Sequence, residues 1–230
     1  MASLFRPTDV WFTADWHLGH QRIIELCDRP FDSVEQMNEE LIDNHNALVG
    51  QDDVVWMLGD MIMGDIEAGL KLVSRINGRK HLICGNHDRP FAGAATDPRA
   101  RTAWRQRYLD AGFKSVVTGT GISLTKQEPA TGLRPARAKH VGHPIRLALG
   151  AECTPVILSH FPYESDTEGD DRFAAWRPRR PANADHPWLL CGHVHGAWDI
   201  RVPERMINVG VDAWSFVPVP AEMIIDTIKE

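Results

Sequence analysis

Apolar residues fall in short blocks separated by longer stretches of mixed polarity. Val10-Trp11-Phe12-Thr13 predicts a buried strand, and the turn from Asp15 to His20 leads into a helical stretch from about Gln21 to Leu26. Ser33 is placed to cap a second helix, with Gln36 at the capping-box position and Val34, Met37, Leu41 and Leu48 on one apolar face. Val54 to Leu58 predicts the next strand. The rhythm repeats with a helix near Ile66 to Ile76, a turn at Asn77-Gly78, a strand from His81 to Cys84 and a helix around Arg99 to Ala111. From Lys114 onward strands dominate, at Ser115 to Val117, Val156 to Ser159, Trp188 to Cys191, Met206 to Val209 and Met223 to Asp226. This alternation predicts α/β architecture, with additional sheet and few helices in the second half. Lys126 to Pro144 and Glu164 to Pro187 lack periodicity and are rich in Pro, Arg, Ala or Asp, which predicts surface loops.

Length narrows this picture: 230 residues, 43% of them hydrophobic, support one sizeable core, so residues 1–230 read as a single domain. The 25 Lys and Arg against 31 Asp and Glu give a net charge of −6, which argues against a surface built mainly to neutralise nucleic-acid phosphates. The apolar stretches are too short to span a bilayer, and residues 1–14 lack the layout of a signal peptide, so the expectation is a cytoplasmic protein without membrane association. Cys27, Cys84, Cys153 and Cys191 form no C-x-x-C pair and read as reduced cysteines, Cys84 and Cys191 in the core.

Chemistry concentrates directly after the strands. Asp15-Trp16-His17, Gly59-Asp60, Gly85-Asn86-His87-Asp88, Ser159-His160 and Gly192-His193-Val194-His195 each bring metal-ligand side chains to a strand's C-terminal end, where an open α/β sheet gathers distant residues at one rim. The i, i+2 spacing of Asp15/His17 and of His193/His195 predicts that each pair faces one side of an extended segment. Glycines 59, 85 and 192 would let the backbone turn and approach the site, where a side chain would obstruct it. Carboxylates, imidazoles and one amide without a thiolate suit two divalent ions of the Mn, Fe, Co, Ni or Zn group, manganese first, with Asp60 shared between them. Metal coordination brings a bound water toward a pKa of about 7, so no serine or cysteine nucleophile is required.

This ordered set resembles the calcineurin-like metallophosphoesterase superfamily, whose D-x-H, G-D, G-N-H-[D/E], H and G-H-x-H blocks appear from Asp15 to His195. The stretches Phe12 to His20 and Asn208 to Asp212 are similar to small phage-encoded and bacterial members. The resemblance implies a two-sheet β-sandwich flanked by helices in α/β/β/α layers. It implies Asp15, His17 and His195 on one metal, Asn86, His160 and His193 on the other, and Asp60 between them. It further implies that His87 acts beside the leaving group and that Asp88 orients it. Phosphatases of the superfamily carry an arginine-bearing segment after Gly-Asp; here Met61-Ile62-Met63-Gly64 follows Asp60, which tilts the expected substrate from phosphomonoesters to phosphodiesters, (2′,3′-)cyclic nucleotides among them.

His20 and Arg89 are possible substrate contacts, whereas His140 and His143 fall in an irregular stretch and read as solvent-facing. Trp16 is expected to point away from Asp15 and His17 into the core, and core packing is favoured for Trp214 as well. The basic and aromatic run Arg172 to Arg180 reads as a solvated loop near the site rather than a nucleic-acid contact. A nuclease is one alternative, because Asp15-Trp16-His17-Leu18-Gly19 is also similar to the DNA-repair nuclease branch, although the short chain and acidic balance oppose it. A phosphomonoesterase and a metal-binding interaction scaffold are the others, the scaffold disfavoured because no ligand position is missing.

Overall fold

The structure is a computed structural model and describes residues 10–94, 97–119, 143–149, 152–163, 171–180 and 186–230, the side chains of 143–149, 152–154 and 171–172 excepted. Ten strands, β1 (Val10–Thr13), β2 (Val54–Met57), β3 (Arg79–Ile83), β4 (Ser115–Val117), β5 (His143–Leu149), β6 (Glu152–Leu158), β7 (Trp188–Cys191), β8 (Ile200–Arg201), β9 (Met206–Asn208) and β10 (Val219–Pro220), make two mixed sheets. The first runs β10-β1-β2-β3-β4, with β1 to β4 parallel and β10 antiparallel on β1. The second runs β5-β6-β7-β9-β8, with β6, β7 and β9 parallel and the outer strands antiparallel. Among the described residues five α-helices accompany them: α1 (Ile23–Leu26), α2 (Val34–Leu48), α3 (Ile66–Val73), α4 (Pro98–Asp110) and α5 (Ala221–Lys229).

Period-2 alternation sorts the side chains into layers. From the first sheet Val10, Phe12, Val54 and Ile83 turn one way and meet Val156, Leu158, Trp188, Leu190 and Ile207 of the second sheet in one core. Val55, Met57, Leu82 and Val116 turn the other way, onto Met37, Leu41, Ile42, Leu70, Val73 and Tyr108 of α2, α3 and α4. The second sheet's outer residues Ile157, Leu189, Cys191 and Met206 pack with Tyr163 and Trp198, and no α-helix joins that cluster among the described residues. The helical fourth layer implied by the resemblance is therefore not seen there.

Local chemistry explains the helix ends. Ser33 Oγ accepts from Gln36 N, while Gln36 Oε1 accepts from Asp32 N, one residue before the usual capping-box partner. Asp65 caps α3 through Glu67 N and Ala68 N, and Asp97 caps α4, whose first residue is Pro98. Leu48 does not join the buried face as expected: it is 48% exposed, because the chain turns extended at Val49, which takes the buried position instead.

Two expectations are corrected. Met223 to Asp226 lies within α5, not a strand; Ala221, Ile224, Ile225 and Ile228 repeat at i, i+3, i+4 and i+7, and that stripe packs against the inter-sheet core. Burying Ile224 and Ile225 stabilises this placement by on the order of 2–3 kcal/mol each. Strand β5 was not expected, and its first two residues, His143 and Pro144, lie in a stretch read as loop; it pairs antiparallel with β6 over seven residues each. Residues 126–142, with His140, lie outside the described residues. Within 164–187 the described part contains a three-ten helix, Asp171–Trp176. No helix among the described residues is long and apolar enough to cross a membrane.

Trp16 is buried as expected, its Nε1 donating to Thr13 Oγ1 and its ring edge-on to His45 at 5.4 Å. His45 lies 3.2 Å from the Asn77 carbonyl through Nε2, so that nitrogen carries the proton and the buried Nδ1 has no partner. Burial pushes its pKa down to about 4 from 6.5, Lys80 adding to the fall and the Asn77 carbonyl opposing it. The unfolded chain binds this proton more readily, so the stability His45 contributes is present above pH 6.5 and is lost as pH falls toward 4, by about 3 kcal/mol in all. Urea unfolding of the wild type and His45→Gln between pH 7.5 and 4 is expected to show a flatter acid limb for the variant. Parallel pH profiles would remove His45 as the cause.

Candidate metal centre

Hydrogen bonding continues past the strand ends and sets the ligand segments in register. Asp15 N donates to Gly59 O at 3.0 Å, His17 N to Asp60 O at 3.0 Å and Gly192 N to His160 O at 3.1 Å. An isolated bridge between Ala14 and Gly210 joins the end of β1 to the segment after β9, tying the two sheets at this rim. The paired ligands do not converge by strand alternation, as their spacing had predicted. Asp15 (φ 59°), His17 (53°), Asp60 (53°), His193 (73°) and His195 (50°) are all left-handed, and it is these bends that turn each side chain toward the centre. Such backbone costs of order 1 kcal/mol or more per residue and persists where the surroundings over-determine it, as at functional sites.

The side chains meet closely. Ligand atoms of Asp15, His17 and His195 lie within 4.8 Å of one another, and so do those of Asp15, Asp60 and His160. Asp60 Oδ2 sits between the groups, 3.5 Å from His160 Nε2, 3.8 Å from His17 Nε2 and 4.0 Å from His87 Nε2. Asn86 Oδ1 is 3.0 Å from His160 Nε2. The His193 ring lies 5.1 Å from that of His160, and its backbone N–H donates to Asp15 Oδ2. His87, with 40% of its side chain exposed, stands at the mouth, its ring 5.5 Å from that of His17. The His20 ring is 5.5 Å from the His17 ring on the same rim, with a buried Nδ1 that has no partner. Arg89 is exposed and lines, with Met63, Gly64, Asn86 and His87, a cavity of about 300 Å³ beside the centre.

These donors fit a divalent cation. Asp15 Oδ1 and both ring nitrogens of His17 are buried without hydrogen-bond partners, a cost that coordination would remove. His160 Nδ1 must donate to Leu58 O at 2.8 Å, so its neutral ring turns the bare Nε2 lone pair toward the Asp60 carboxylate, an acceptor facing an acceptor. Burial pushes Asp15 up to about 6, and burial with the Asp88 and Asp15 charges raises Asp60 well above the ordinary carboxylate range. Burial likewise holds His17 and His160 far below the usual imidazole range. Anions that burial disfavours, beside imidazoles kept neutral, are the surroundings that a hard or borderline cation satisfies.

No family profile matches the chain. The gene 66 protein of Mycobacterium phage L5 is 32% identical over 212 residues, covering 90% of this chain and 88% of that protein. The gene 66 protein of Mycobacterium phage D29 is 32% identical over 228 residues and covers 97% of each. The chain belongs to the gene 66 protein family of mycobacteriophages. The crystal structure of AQ665, a protein of unknown function from Aquifex aeolicus, shares the fold, with a TM-score of 0.58 and 20% identity over 95% of this chain and 98% of that one.

In this gene 66 family member the residues supporting the donors were largely absent from the sequence reading. Asp88 is buried, and its carboxylate accepts from Asp60 N, Met61 N and Gly85 N at 2.8, 3.1 and 2.9 Å. These contacts staple the Asp60 segment to the one that carries Asn86 and His87. Asn208 clamps the other side, donating to His195 O and Trp198 O and accepting from Gly210 N. Asp212 lies 2.8 Å from His195 Nδ1 and orients that ring, and the buried Arg29 grips the same carboxylate. Burial works against a charged His195, but Asp212, the half-buried Cys27 thiol and Asp15 together raise it to about 11. The rule that found the other residues, a polar side chain soon after a strand end, would also have found Asp212 after β9. Arg29 carries no such signal.

The glycine expectation is met. A Cβ on Gly85 would overlap Asp60 Oδ1 and approach His160 Cε1 to 2.7 Å, and a Cβ on Gly59 would lie 2.6 Å from His160 Nδ1. Gly85→Ala is therefore expected to displace Asp60 and weaken divalent-ion binding at least tenfold while the fold persists. Titration calorimetry with Mn²⁺ checks this, and wild-type affinity in the variant would contradict it.

Proposed function

We propose that the chain is a dinuclear metal-dependent phosphodiesterase of the calcineurin-like metallophosphoesterase superfamily. The observation that carries this reading is the convergence of Asp15, His17, Asp60, His160 and His195 at one rim, with Asn86 and His193 against His160 and with Asp15 Oδ1 and the His17 ring nitrogens buried without a hydrogen-bond partner. Asp15, His17 and His195 would hold one ion, Asn86, His160 and His193 the other, and Asp60 would serve both. The two sheets sharing one core and the helices outside the first support the superfamily's sandwich. Bound divalent ions supply an activated water and neutralise charge on the phosphoryl oxygens. Manganese is the first expectation, with iron, zinc, cobalt or nickel as substitutes.

His87, exposed at the mouth and within reach of Asp60, is positioned to give a proton to the departing oxygen. Met63 and Gly64 line the adjoining cavity where phosphatases of the superfamily carry their arginine-bearing segment, which favours a diester monoanion over a monoester dianion. Cyclic nucleotides, 2′,3′-cyclic ones included, are the substrate class we favour, with Arg89 in the cavity lining and His20 beside His17 as contacts. The test is hydrolysis of bis-p-nitrophenyl phosphate, p-nitrophenyl phosphate and 2′,3′-cyclic AMP by chelator-stripped protein with and without Mn²⁺. The reading requires metal-restored activity that prefers the diesters. Preference for the monoester would make the chain a phosphatase, and cleavage of plasmid DNA in place of the small diesters would make it a nuclease.

A further inference from the structure

We infer that the two halves of the metal centre rest on separate buried scaffolds, with Arg29 the positioning residue of the Asp15–His17–His195 half alone. The inference rests on the two-metal reading above and adds which part of the protein holds each ion in place.

The Arg29 side chain is fully buried at the end of α1. Its Nε and Nη2 donate to the two oxygens of Asp212 at 2.7 and 2.9 Å, a bidentate pair. The same Nη2 donates to Asp15 O at 2.7 Å, and Nη1 donates to Trp16 O at 3.0 Å and to Met37 Sδ at 3.4 Å. One guanidinium thus fixes the backbone between Asp15 and His17, both left-handed, and through Asp212 the ring of His195. Each donor of that half is one link from Arg29. A buried ion pair is weak evidence for stability, since an apolar replacement often serves as well. What this one adds is orientation: the planar fork sets the direction of two carbonyls and one carboxylate at once, which a lysine cannot do.

The second half has its own supports. Asp88 binds the amides of Asp60, Met61 and Gly85, and Leu58 O sets the tautomer of His160. The His193 ring packs among those of Phe161 and Phe173, at 4.9 and 6.2 Å. None of Arg29's contacts reaches Asn86, His160 or His193. The halves meet where Asp15 Oδ2 takes His193 N, at Asp60 between both sets, and where Asp15 N and His17 N pair with Gly59 O and Asp60 O, contacts in which the Arg29 guanidinium takes no part.

The experiment follows Mn²⁺ binding to the full chain by calorimetry and by electron paramagnetic resonance, which separates a coupled ion pair from an isolated ion. The wild type is expected to bind two coupled ions. Arg29→Lys is expected to keep one at near wild-type affinity and to weaken the other about 10- to 100-fold, with the coupled signal replaced by that of an isolated ion. Combining Arg29→Lys with His195→Ala is expected to add nothing beyond His195→Ala, whereas combining it with His160→Ala weakens binding further than either change. Asp212→Asn, which keeps the side chain's shape and the carbonyl contacts of Arg29, is expected to act in the same direction and carries the test if circular dichroism shows Arg29→Lys unfolded. Two ions bound with wild-type affinity in these variants, or equal loss of both, overturns the inference. A wild-type chain that takes up no Mn²⁺ overturns the two-metal reading and the inference with it.

Discussion

Asp60→Asn protein is expected to lose at least about 1,000-fold of its metal-restored diesterase activity while remaining folded. Asp60 Oδ1 already accepts the His87 amide, and asparagine keeps that acceptor. The change falls on Oδ2, which lies 3.5 to 4.0 Å from the ring nitrogens of His160, His17 and His87, and puts an uncharged NH₂ group at the point the donors surround. Metal catalysis of phosphoryl chemistry supplies several kcal/mol, and about 1.4 kcal/mol is worth tenfold in rate. The same substitution separates a metal effect from a folding effect. The Asp60 carboxylate is fully buried, its pKa pushed well above the ordinary range by burial and by Asp88 and Asp15, so its charge works against the metal-free fold at neutral pH. Chelated Asp60→Asn is therefore expected to melt no lower than the chelated wild type. The thermal shift that Mn²⁺ gives the wild type, worth about 2.7 kcal/mol at one hundred times the dissociation constant, is expected to disappear. Full Mn²⁺-dependent turnover and an unchanged thermal shift would show that Asp60 does not hold the ions.

His87→Ala is expected to lower turnover of 2′,3′-cyclic AMP by about 10² to 10⁴ with both ions retained. The His87 ring is 40% exposed at the mouth and is tied to the centre through its backbone amide rather than by burial. Truncation would therefore remove the proposed proton donor without opening the candidate ligand set. Because the nucleoside leaving group is a poor one and p-nitrophenolate a good one, bis-p-nitrophenyl phosphate hydrolysis is expected to fall far less. Equal losses on both substrates, or loss of bound Mn²⁺, would assign His87 to metal binding instead of proton transfer.

Hydrophobic patterning along the chain was enough to place β1, β4 and β7 at their observed bounds and most other elements within a few residues; β1 and β7 bury nearly every side chain and read as almost continuous apolar runs. It misread α5, where Met223 to Asp226 is a short apolar run and the helical stripe emerges only when Ala221 and Ile228 are included. It passed over the two-residue strands β8 and β10, which exist through pairing with β9 and β1 and carry no pattern of their own.

The candidate site divides along the same line. Ligand-type residues directly after strands, the glycines before three of them and their order were legible, because parallel strands deliver their C-terminal ends to one edge whatever the rest of the chain does. The means of convergence was not. Left-handed backbone at five candidate ligand residues is sustained by hydrogen bonds between segments far apart in sequence, and one-dimensional spacing holds no record of them. The supporting contacts were hidden for the same reason: Arg29 carries no local signal, its fork being accepted by Asp212, 183 residues away, and the three amides that Asp88 accepts include two from a segment more than 25 residues before it. Residue type and local order thus specified the candidate donors, since those properties are local to each strand end. The orientation of each donor came from buried polar contacts between distant segments, which form when the two sheets close around a common core.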